Sequence, residues 1–319
     1  MLNTTINTTS HHASSYSFAG LSIMQIKYIF ASFSGIILLV GSVGNILMLL
    51  VLIGSQRSNA GAISTLTSAL MINLTISDMV FLFYNVTVLL VSFVFEDWRM
   101  GVAVCVSSQS MSMWTMFCSF YTMVAISILR YIAAVHPTYG CTVSRTQRLV
   151  ICLTTWIMGF AVSIPNWMHQ VVVKVEEANY CMLLMTSQQT FLYFVLFGGV
   201  AFLPFVILLL VCYFRIVQSL WFGRMLAAPS SGHLQHNQKA TIIILAVLMV
   251  FVIMWIPCSV VIFLSASHIL AQTPAAFIVT NLSFVLAYSN CSVSPIICFS
   301  LSDQFQAGLR KLFQRAGSR

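Results

Sequence analysis

The sequence contains very few charged residues. Only 6% of its 319 residues are charged, 14 Lys and Arg against 6 Asp and Glu, whereas 59% are hydrophobic. A soluble globular domain has about 25% charged residues, so this composition excludes a water-soluble fold and predicts that lipid solvates most of the surface. The excess of basic residues does not indicate nucleic acid, because no stretch clusters Lys and Arg with interleaved aromatic residues.

Long uncharged stretches separate the charged positions. Five of them can each supply the ~20 residues of a spanning helix, although one contains Asp78. The uncharged stretch between Lys239 and Asp303 is too long for one helix and is divided by the polar segment 265–274. Because each run far exceeds the ~10 residues of a barrel strand, the sequence predicts an all-α membrane protein with a seven-transmembrane helix bundle over residues 28–301.

The basic residues are distributed unequally between the two sides of this bundle. One side has eleven of them, and the other has only Lys27, Arg99 and Lys174. The more basic side is expected to face the cytoplasm. The sequence therefore predicts a plasma-membrane protein with an extracellular N-terminus and a cytoplasmic C-terminus, which lies on a short amphipathic helix and tail over 302–319.

The polar tail 1–27 is expected to be glycosylated at Asn3 and Asn7, which begin Asn-x-Thr triplets. Matching triplets at Asn73, Asn85 and Asn281 fall inside the predicted spans, where the glycosylation machinery cannot reach. We interpret those three as chance matches.

Two of the nine cysteines lie on the predicted extracellular side. Cys105 is at the outer end of the third span and Cys181 is in the second outer loop, in the compartment where disulfides persist. We predict a bridge between them, the alternative being two free thiols. The β-branched loop before Cys181 predicts a short hairpin over the mouth of the bundle, and the open cleft beneath it suits a peptide better than a lipid.

Asp78 is the only acidic residue within a span, and a carboxylate at that depth needs partners. Asn45, Ser119 and Asn290 are short polar residues at comparable depth. Such a group of oxygens could coordinate a hard monovalent cation. In the alternative interpretation, Asp78 is protonated and only donates hydrogen bonds to its neighbours.

Several short motifs occur in a fixed order along the chain. They are Gly44-Asn45, Asn73 to Asp78, Trp98 to Gly101 followed by Cys105, Trp156, Pro204, and Phe251 with Trp255-Ile256-Pro257. Together with an amphipathic segment from Phe305 to Phe313, they are similar to the rhodopsin-like (class A) G-protein-coupled receptors over residues 28–315. The resemblance implies an allosteric sodium ion at Asp78, Ser119, Asn290 and Asn45, no other metal or cofactor, and a switch formed by Phe251, Trp255, Pro257 and Pro295.

Three motifs depart from the pattern of that family. The third span has Leu129 where an acidic residue usually precedes the arginine, here Arg130. The seventh span has Ser294-Pro295-Ile296-Ile297-Cys298, and Cys212 stands in place of the fifth-span tyrosine. Without a carboxylate on Arg130 the inactive state loses an ion pair, which would raise basal activity, whereas the missing tyrosines would weaken the active state.

The resemblance implies a receptor for an extracellular ligand, which we expect to be a peptide because the cleft residues are uncharged. By helical spacing and resemblance, those residues are Gln109, Ser112, Met113, Met116, Trp255, Ser259, Ile262, Thr280, Phe284 and Tyr288. Side-chain packing between helices is the alternative role for about half of them. Glu96, Asp97, Glu176 and Glu177 are expected at the rim.

On the inner side, the resemblance implies that the sixth helix swings outward and that a heterotrimeric G protein contacts Arg130, Val135, His136 and Pro137. Arrestin is a further candidate partner, beside the lipid bilayer. The alternatives are a seven-helix receptor that does not couple to G protein, and a small transporter or channel, which the single membrane carboxylate disfavours. An enzyme is excluded by the absence of a catalytic or metal-ligating constellation in the sequence.

Overall fold

The structure is a computed structural model that describes residues 17–18, 21–55, 62–95, 97–135, 144–175, 177–226, 232–266, 269–270 and 273–317. The predicted glycosylation sites Asn3 and Asn7, the rim residues Glu96 and Glu176, and the inner-loop residues His136 and Pro137 lie outside these ranges.

Seven helices within the described residues are long and apolar enough to span a membrane, as predicted. A short amphipathic helix, α8, follows them at Asp303–Gly317. The spanning helices are α1 (Ile23–Ser55), α2 (Ala62–Val80, Phe81–Val86 and Thr87–Val94), α3 (Gly101–Val135), α4 (Arg145–His169), α5 (Ser187–Leu196, Phe197–Phe202 and Leu203–Leu226), α6 (Gly232–Ala266) and α7 (Pro274–Leu301).

Two of the spanning helices contain a wider, π-helical turn that the sequence did not predict. These turns are Phe81–Val86 in α2 and Phe197–Phe202 in α5. A π-helical turn accommodates one extra residue and is frequent at functional sites. It therefore changes which side chains of α2 and α5 face the centre of the bundle.

Side-chain caps begin several of the helices. Ser144 at the start of α4 and Thr186 at the start of α5 each form a capping box with a glutamine three residues later. Thr273 caps α7, in which Pro274 occupies the first turn. These residues satisfy free backbone N–H groups, which explains where the helices begin.

The outer-loop hairpin predicted from the β-branched segment is present. Strands β3 (Gln170–Val175) and β4 (Ala178–Leu183) are antiparallel, with Val172 opposite Cys181. A much shorter pair, β1 (Ser17–Phe18) and β2 (Leu21–Ser22), precedes α1. We call the end of the bundle that carries β3 and β4 the hairpin end, and the opposite end, which carries Arg130, the arginine end.

Helix α3 lies at the centre of the bundle. Phe117 and Phe120 on this helix are almost completely buried, and the most extensive contact between helices is that of α3 with α4. Gly159 permits this contact, because a Cβ at that position would lie 2.7 Å from the carbonyl oxygen of Trp114. By contrast, α5 is the most exposed of the spans.

Candidate functional site

A polar cavity lies between α2, α3, α6 and α7, deep inside the bundle. The Ser119 hydroxyl donates a hydrogen bond to Asp78 Oδ1 at 3.0 Å. The cavity has a volume of about 20 Å³, and a polar cavity needs about 10–15 Å³ to hold a water molecule. Its lining comprises Asp78, Phe81, Thr115, Met116, Ser119, Phe251, Trp255, Ala287, Asn290 and Cys291.

Asp78, Ser119 and Asn290 therefore meet at one cavity, whereas Asn45 is not among the residues that line it. The Asn45 amide donates to the carbonyl oxygens of Gly41 at 2.9 Å and Cys291 at 2.8 Å. This residue holds α1 against α7. Of the four residues predicted for a cation, three can share an ion directly, and Asn45 has a different set of contacts.

The aromatic residues predicted as a switch form a wall of the same cavity. The rings of Phe251 and Trp255 have centroids 6.1 Å apart, and Phe251 stacks on Phe120 at 6.1 Å. The Trp255 indole N–H has no partner among the described residues. A change in the packing of Trp255 would therefore alter both the shape of the cavity and the packing at the centre of α3.

The two prolines predicted for this switch lie within α6 and α7. Pro257 is inside α6 and Pro295 is inside α7. Pro295 packs against α1 at Gly44, where a Cβ would lie 2.9 Å from the proline ring. The glycine of the Gly44-Asn45 motif thus makes room for the seventh-helix proline.

The residues predicted to line the ligand cleft differ in their burial. Ser112 and Tyr288 are buried and share a hydrogen bond of 3.2 Å between their hydroxyl groups. Phe81 packs edge-on against Tyr288, with 4.7 Å between ring centroids. We call this buried group, which joins α2, α3 and α7, the floor of the predicted cleft.

The remaining cleft residues lie around this floor. Met116 lines the Asp78 cavity, and the Ser259 hydroxyl donates to the carbonyl oxygen of Trp255 at 2.9 Å. Gln109, Met113, Ile262, Thr280 and Phe284 are half-buried. All of them are uncharged, so the polar character of the cleft comes from hydroxyl and carboxamide groups.

The hairpin end is cross-linked to α3. The predicted disulfide joins Cys105 to Cys181, with 5.6 Å between their Cα atoms. The backbone N–H of Trp98 donates to the carbonyl oxygen of Asn179 at 2.8 Å, which fastens the hairpin to the first loop as well.

The acidic residues described at the rim are paired with basic neighbours. Asp97 lies 2.6 Å from Arg99, and Glu177 lies 3.4 Å from Lys174. Both pairs are short-range within their own loops. Among the described residues, the rim therefore presents paired charges of both signs.

The arginine end differs from the hairpin end in its charged contacts. Arg130 is half-buried, it forms no ion pair with the described residues, and its Nε atom has no hydrogen-bond partner among them. Cys212 and Cys298 are buried in place of the tyrosines of the family pattern. Val135, at the end of α3, is half-buried.

A polar network between α2, α3 and α4 was missed from the sequence. The Asn73 amide donates to the hydroxyl oxygens of Thr122 at 2.8 Å and Thr155 at 3.1 Å, and the Trp156 indole N–H donates to Asn73 Oδ1 at 2.9 Å. The signal was present, since Asn73 and Trp156 both belong to the motifs named above. Their spacing alone did not show that they bond to each other.

Comparison with known proteins places the chain in a family. Residues 44–297 match the model of the 7 transmembrane receptor (rhodopsin family). The allatostatin-A receptor of Bombyx mori is 30% identical over 297 residues, which cover 88% of this chain and 78% of that receptor. The C-C chemokine receptor type 8 of Mus musculus is 27% identical over 300 residues, which cover 89% and 78% of the two chains.

A third relative is the galanin receptor type 1 of Homo sapiens, 27% identical over 286 residues that cover 88% of this chain and 80% of the receptor. The family and these relatives are receptors rather than enzymes, in agreement with the sequence. With a seven-helix bundle, a disulfide between α3 and the outer hairpin, and a family match over most of its length, the chain belongs to the rhodopsin-like (class A) G-protein-coupled receptors.

Proposed function

We propose that this receptor binds an extracellular peptide at the hairpin end and signals to heterotrimeric G proteins at the arginine end. The observation that carries the proposal is the β3–β4 hairpin, which the Cys105–Cys181 disulfide holds to the same helix that carries the uncharged residues Gln109, Ser112 and Met113. The names of relatives add support, since they are receptors for galanin, somatostatin and allatostatin-A.

Membership of the family implies a multi-pass protein of the plasma membrane. We propose that the hairpin end and the N-terminus are extracellular, with glycans at Asn3 and Asn7, and that α8 lies on the cytoplasmic face of the bilayer. The disulfide supports this orientation because such bonds persist in oxidising compartments. Epitope tags at the two ends should be accessible from opposite sides of intact cells.

The proposed ligand is neutral or of mixed charge. A small cationic amine would need a carboxylate in the cleft, and the floor instead has Ser112 hydrogen-bonded to Tyr288. The paired charges at the rim suit a peptide that carries both signs. The peptide is expected to contact the ten cleft residues named above from the sequence, of which Ser259 is exposed and five others are half-buried.

Signalling is proposed to be a shift between two populated conformations. A ligand above Trp255 favours the conformation in which this ring repacks against Phe251, and α6 then swings outward at Pro257. The separation of the helices at the arginine end lets Arg130, Val135, His136 and Pro137 meet a helix of the G-protein α subunit, in the helix-in-groove mode. Arrestin would use the same opening.

We further propose that the Asp78 cavity holds a sodium ion in the closed conformation. Its ligand set fits a hard cation, because the Asp78 carboxylate, the Ser119 hydroxyl and the carboxamide of Asn290 each bring a side-chain oxygen to a space that admits water. The ion would supply the positive charge that a buried carboxylate needs. Asn45 is expected to act indirectly, by holding α1 against α7.

A second candidate function is a receptor that binds ligand without activating G protein. The observation that favours it is the apolar and thiol character of the arginine end, where Leu129, Cys212 and Cys298 replace the acid and the tyrosines of the family pattern. In this case ligand binding would recruit a different partner, such as arrestin, or none.

One experiment separates the two candidates. Cells that express the receptor would be screened with a peptide library, while the activation of several G-protein subtypes and the recruitment of arrestin are measured together. Activation of any G protein that disappears in the Arg130→Ala variant supports the proposed function. Peptide binding at the cell surface without such activation supports the second candidate, and the absence of peptide binding contradicts both.

A further inference from the structure

Asn85, in the π-helical turn of α2, has a buried side chain without a partner. It is 3% exposed, and neither its Nδ2 nor its Oδ1 atom has a hydrogen-bond partner among the described residues. No role was predicted for this residue, since it was noted only as part of a chance glycosylation triplet. A carboxamide can donate two hydrogen bonds and accept two, so all of its capacity is unused.

An unpaired carboxamide inside a membrane bundle is costly, because no bulk water reaches it. Asn73, on the same helix, is a buried carboxamide whose hydrogen bonds are satisfied within the bundle. Its amide and carbonyl groups are bonded to Thr122, Thr155 and Trp156. The difference between the two residues indicates that Asn85 is retained for a partner that is not part of this chain.

Asn85 lies beside the floor of the proposed cleft. Phe81, in the same π-helical turn, packs on Tyr288, which is bonded to Ser112. The Tyr84 hydroxyl, just before Asn85, pairs with Ser107 near the beginning of α3. Asn85 thus falls between the level of Tyr288 and the hairpin end, in a turn that packs against α1, α3 and α7.

The nearby hydroxyl groups do not satisfy Asn85. Those of Ser112 and Tyr288 bond to each other, and that of Ser108 donates to the carbonyl oxygen of Cys105 at 3.2 Å. The floor residues bring no charge to this place either. A ligand group that fits Asn85 must therefore be neutral and must offer a donor and an acceptor together.

We propose that Asn85 is a ligand-recognition residue that pairs with an amide group of the bound peptide, either a backbone peptide unit or a terminal carboxamide. The amide N–H donates to Asn85 Oδ1, and its carbonyl oxygen accepts from Asn85 Nδ2. This inference rests on the proposed peptide-binding function and extends it.

The first test measures the thermal stability of purified, ligand-free receptor. Asn85→Leu, which keeps a similar side-chain volume and removes the unpaired atoms, is expected to leave the melting temperature unchanged or raise it. The matched variant Asn73→Leu breaks three hydrogen bonds and should lower it by about 5 °C or more. A loss for Asn85→Leu as large as that for Asn73→Leu would mean that Asn85 is bonded inside the ligand-free protein, and would overturn the proposal.

The second test measures binding of peptides selected from a random library with amidated C-termini. Affinity should fall at least about tenfold in Asn85→Leu. Methylation of one backbone nitrogen, or replacement of the terminal amide, should weaken binding to the wild type but have little further effect on Asn85→Leu. Equal affinities for wild type and Asn85→Leu overturn the role of Asn85 alone, whereas failure to select any peptide contradicts the proposed function as well.

Discussion

The hairpin half and the arginine half of the bundle are held together by different interactions. At the hairpin end, a disulfide and a backbone hydrogen bond from Trp98 fasten the outer loops to each other and to α3. At the arginine end, Leu129 lies beside Arg130, which forms no ion pair with the described residues, and Cys212 and Cys298 are buried. Within the described part of the chain, no disulfide fastens the helices at that end.

This difference suggests how one chain can combine a defined binding site with a movable signalling surface. Covalent and hydrogen-bonded contacts keep the cleft in one geometry, which reduces the entropy lost when a peptide binds. At the other end, α6 can shift without breaking an ion pair between Arg130 and the described residues. The variants below test whether the two halves differ in this way.

The largest expected effect comes from the hairpin half. Cys105→Ser removes the bridge to Cys181, which closes a loop with a sequence separation of 76, and it should lower the free energy of unfolding by ~2–4 kcal/mol. Thermal unfolding of purified receptor measures the change. Cys152→Ser, a free cysteine of intermediate burial, serves as the control and should differ little from wild type. Equal losses for both variants would argue against a bridge that stabilises the hairpin end.

A smaller effect is expected from adding one methyl group in each half. In Gly159→Ala the new Cβ would lie 2.7 Å from the Trp114 carbonyl oxygen, a backbone atom that cannot move away without displacing α3, and we expect a loss of ~1–3 kcal/mol.

In Gly308→Ala, on α8, the new Cβ would lie 2.5 Å from a side-chain methyl of Val51. Val51 and the short helix can adjust, and alanine favours a helix, so the net loss should stay below ~1 kcal/mol. The same unfolding measurement compares the two variants. A larger loss for Gly308→Ala would reverse the assignment of rigid and adaptable halves.

The hairpin half also shows how far the sequence could predict the structure. The seven spans followed from the positions of few charges, because lipid excludes charged side chains along a helix. The Cys105–Cys181 pair followed from the compartment of each loop, and β3–β4 from β-branched residues around a polar turn. Each of these predictions depends on the residue types within a short segment, which can be read directly from the sequence.

The unpredicted features depend on how helices face one another. The π-helical turns change the register of α2 and α5 by one residue, and no single residue type encodes such a turn. Asn45, on α1, was grouped with Asp78 by its depth, although its amide bonds to the carbonyl oxygens of Gly41 and Cys291. Depth in the membrane was predictable, whereas the direction of each side chain was not.

In the arginine half, restoring the missing carboxylate should reduce activity without ligand. Leu129→Asp would place an acid beside Arg130, and an ion pair of ~1 kcal/mol would favour the closed state and lower ligand-free G-protein turnover about fivefold. Leu129→Asn, which is polar but uncharged, controls for the loss of the apolar side chain. If Asp and Asn lower turnover equally, the charge is not responsible. If ligand-free G-protein turnover is already equal in the wild type and in Arg130→Ala, the receptor has no basal activity for the new ion pair to reduce.

The smallest expected effect concerns the contact between α3 and α5, which includes a side-chain hydrogen bond. The Tyr121 hydroxyl donates to the carbonyl oxygen of Ala201 at 3.0 Å, in the π-helical turn that precedes Pro204, a residue without an N–H. Tyr121→Phe keeps the ring packed against Phe117 and Phe205 and removes only this bond, so the loss should be near the low end of ~0.5–1.5 kcal/mol. Tyr213→Phe, at an exposed position of α5, is the control. A loss above that of Gly159→Ala would show that α5 is fastened to α3 mainly by this hydroxyl rather than by packing.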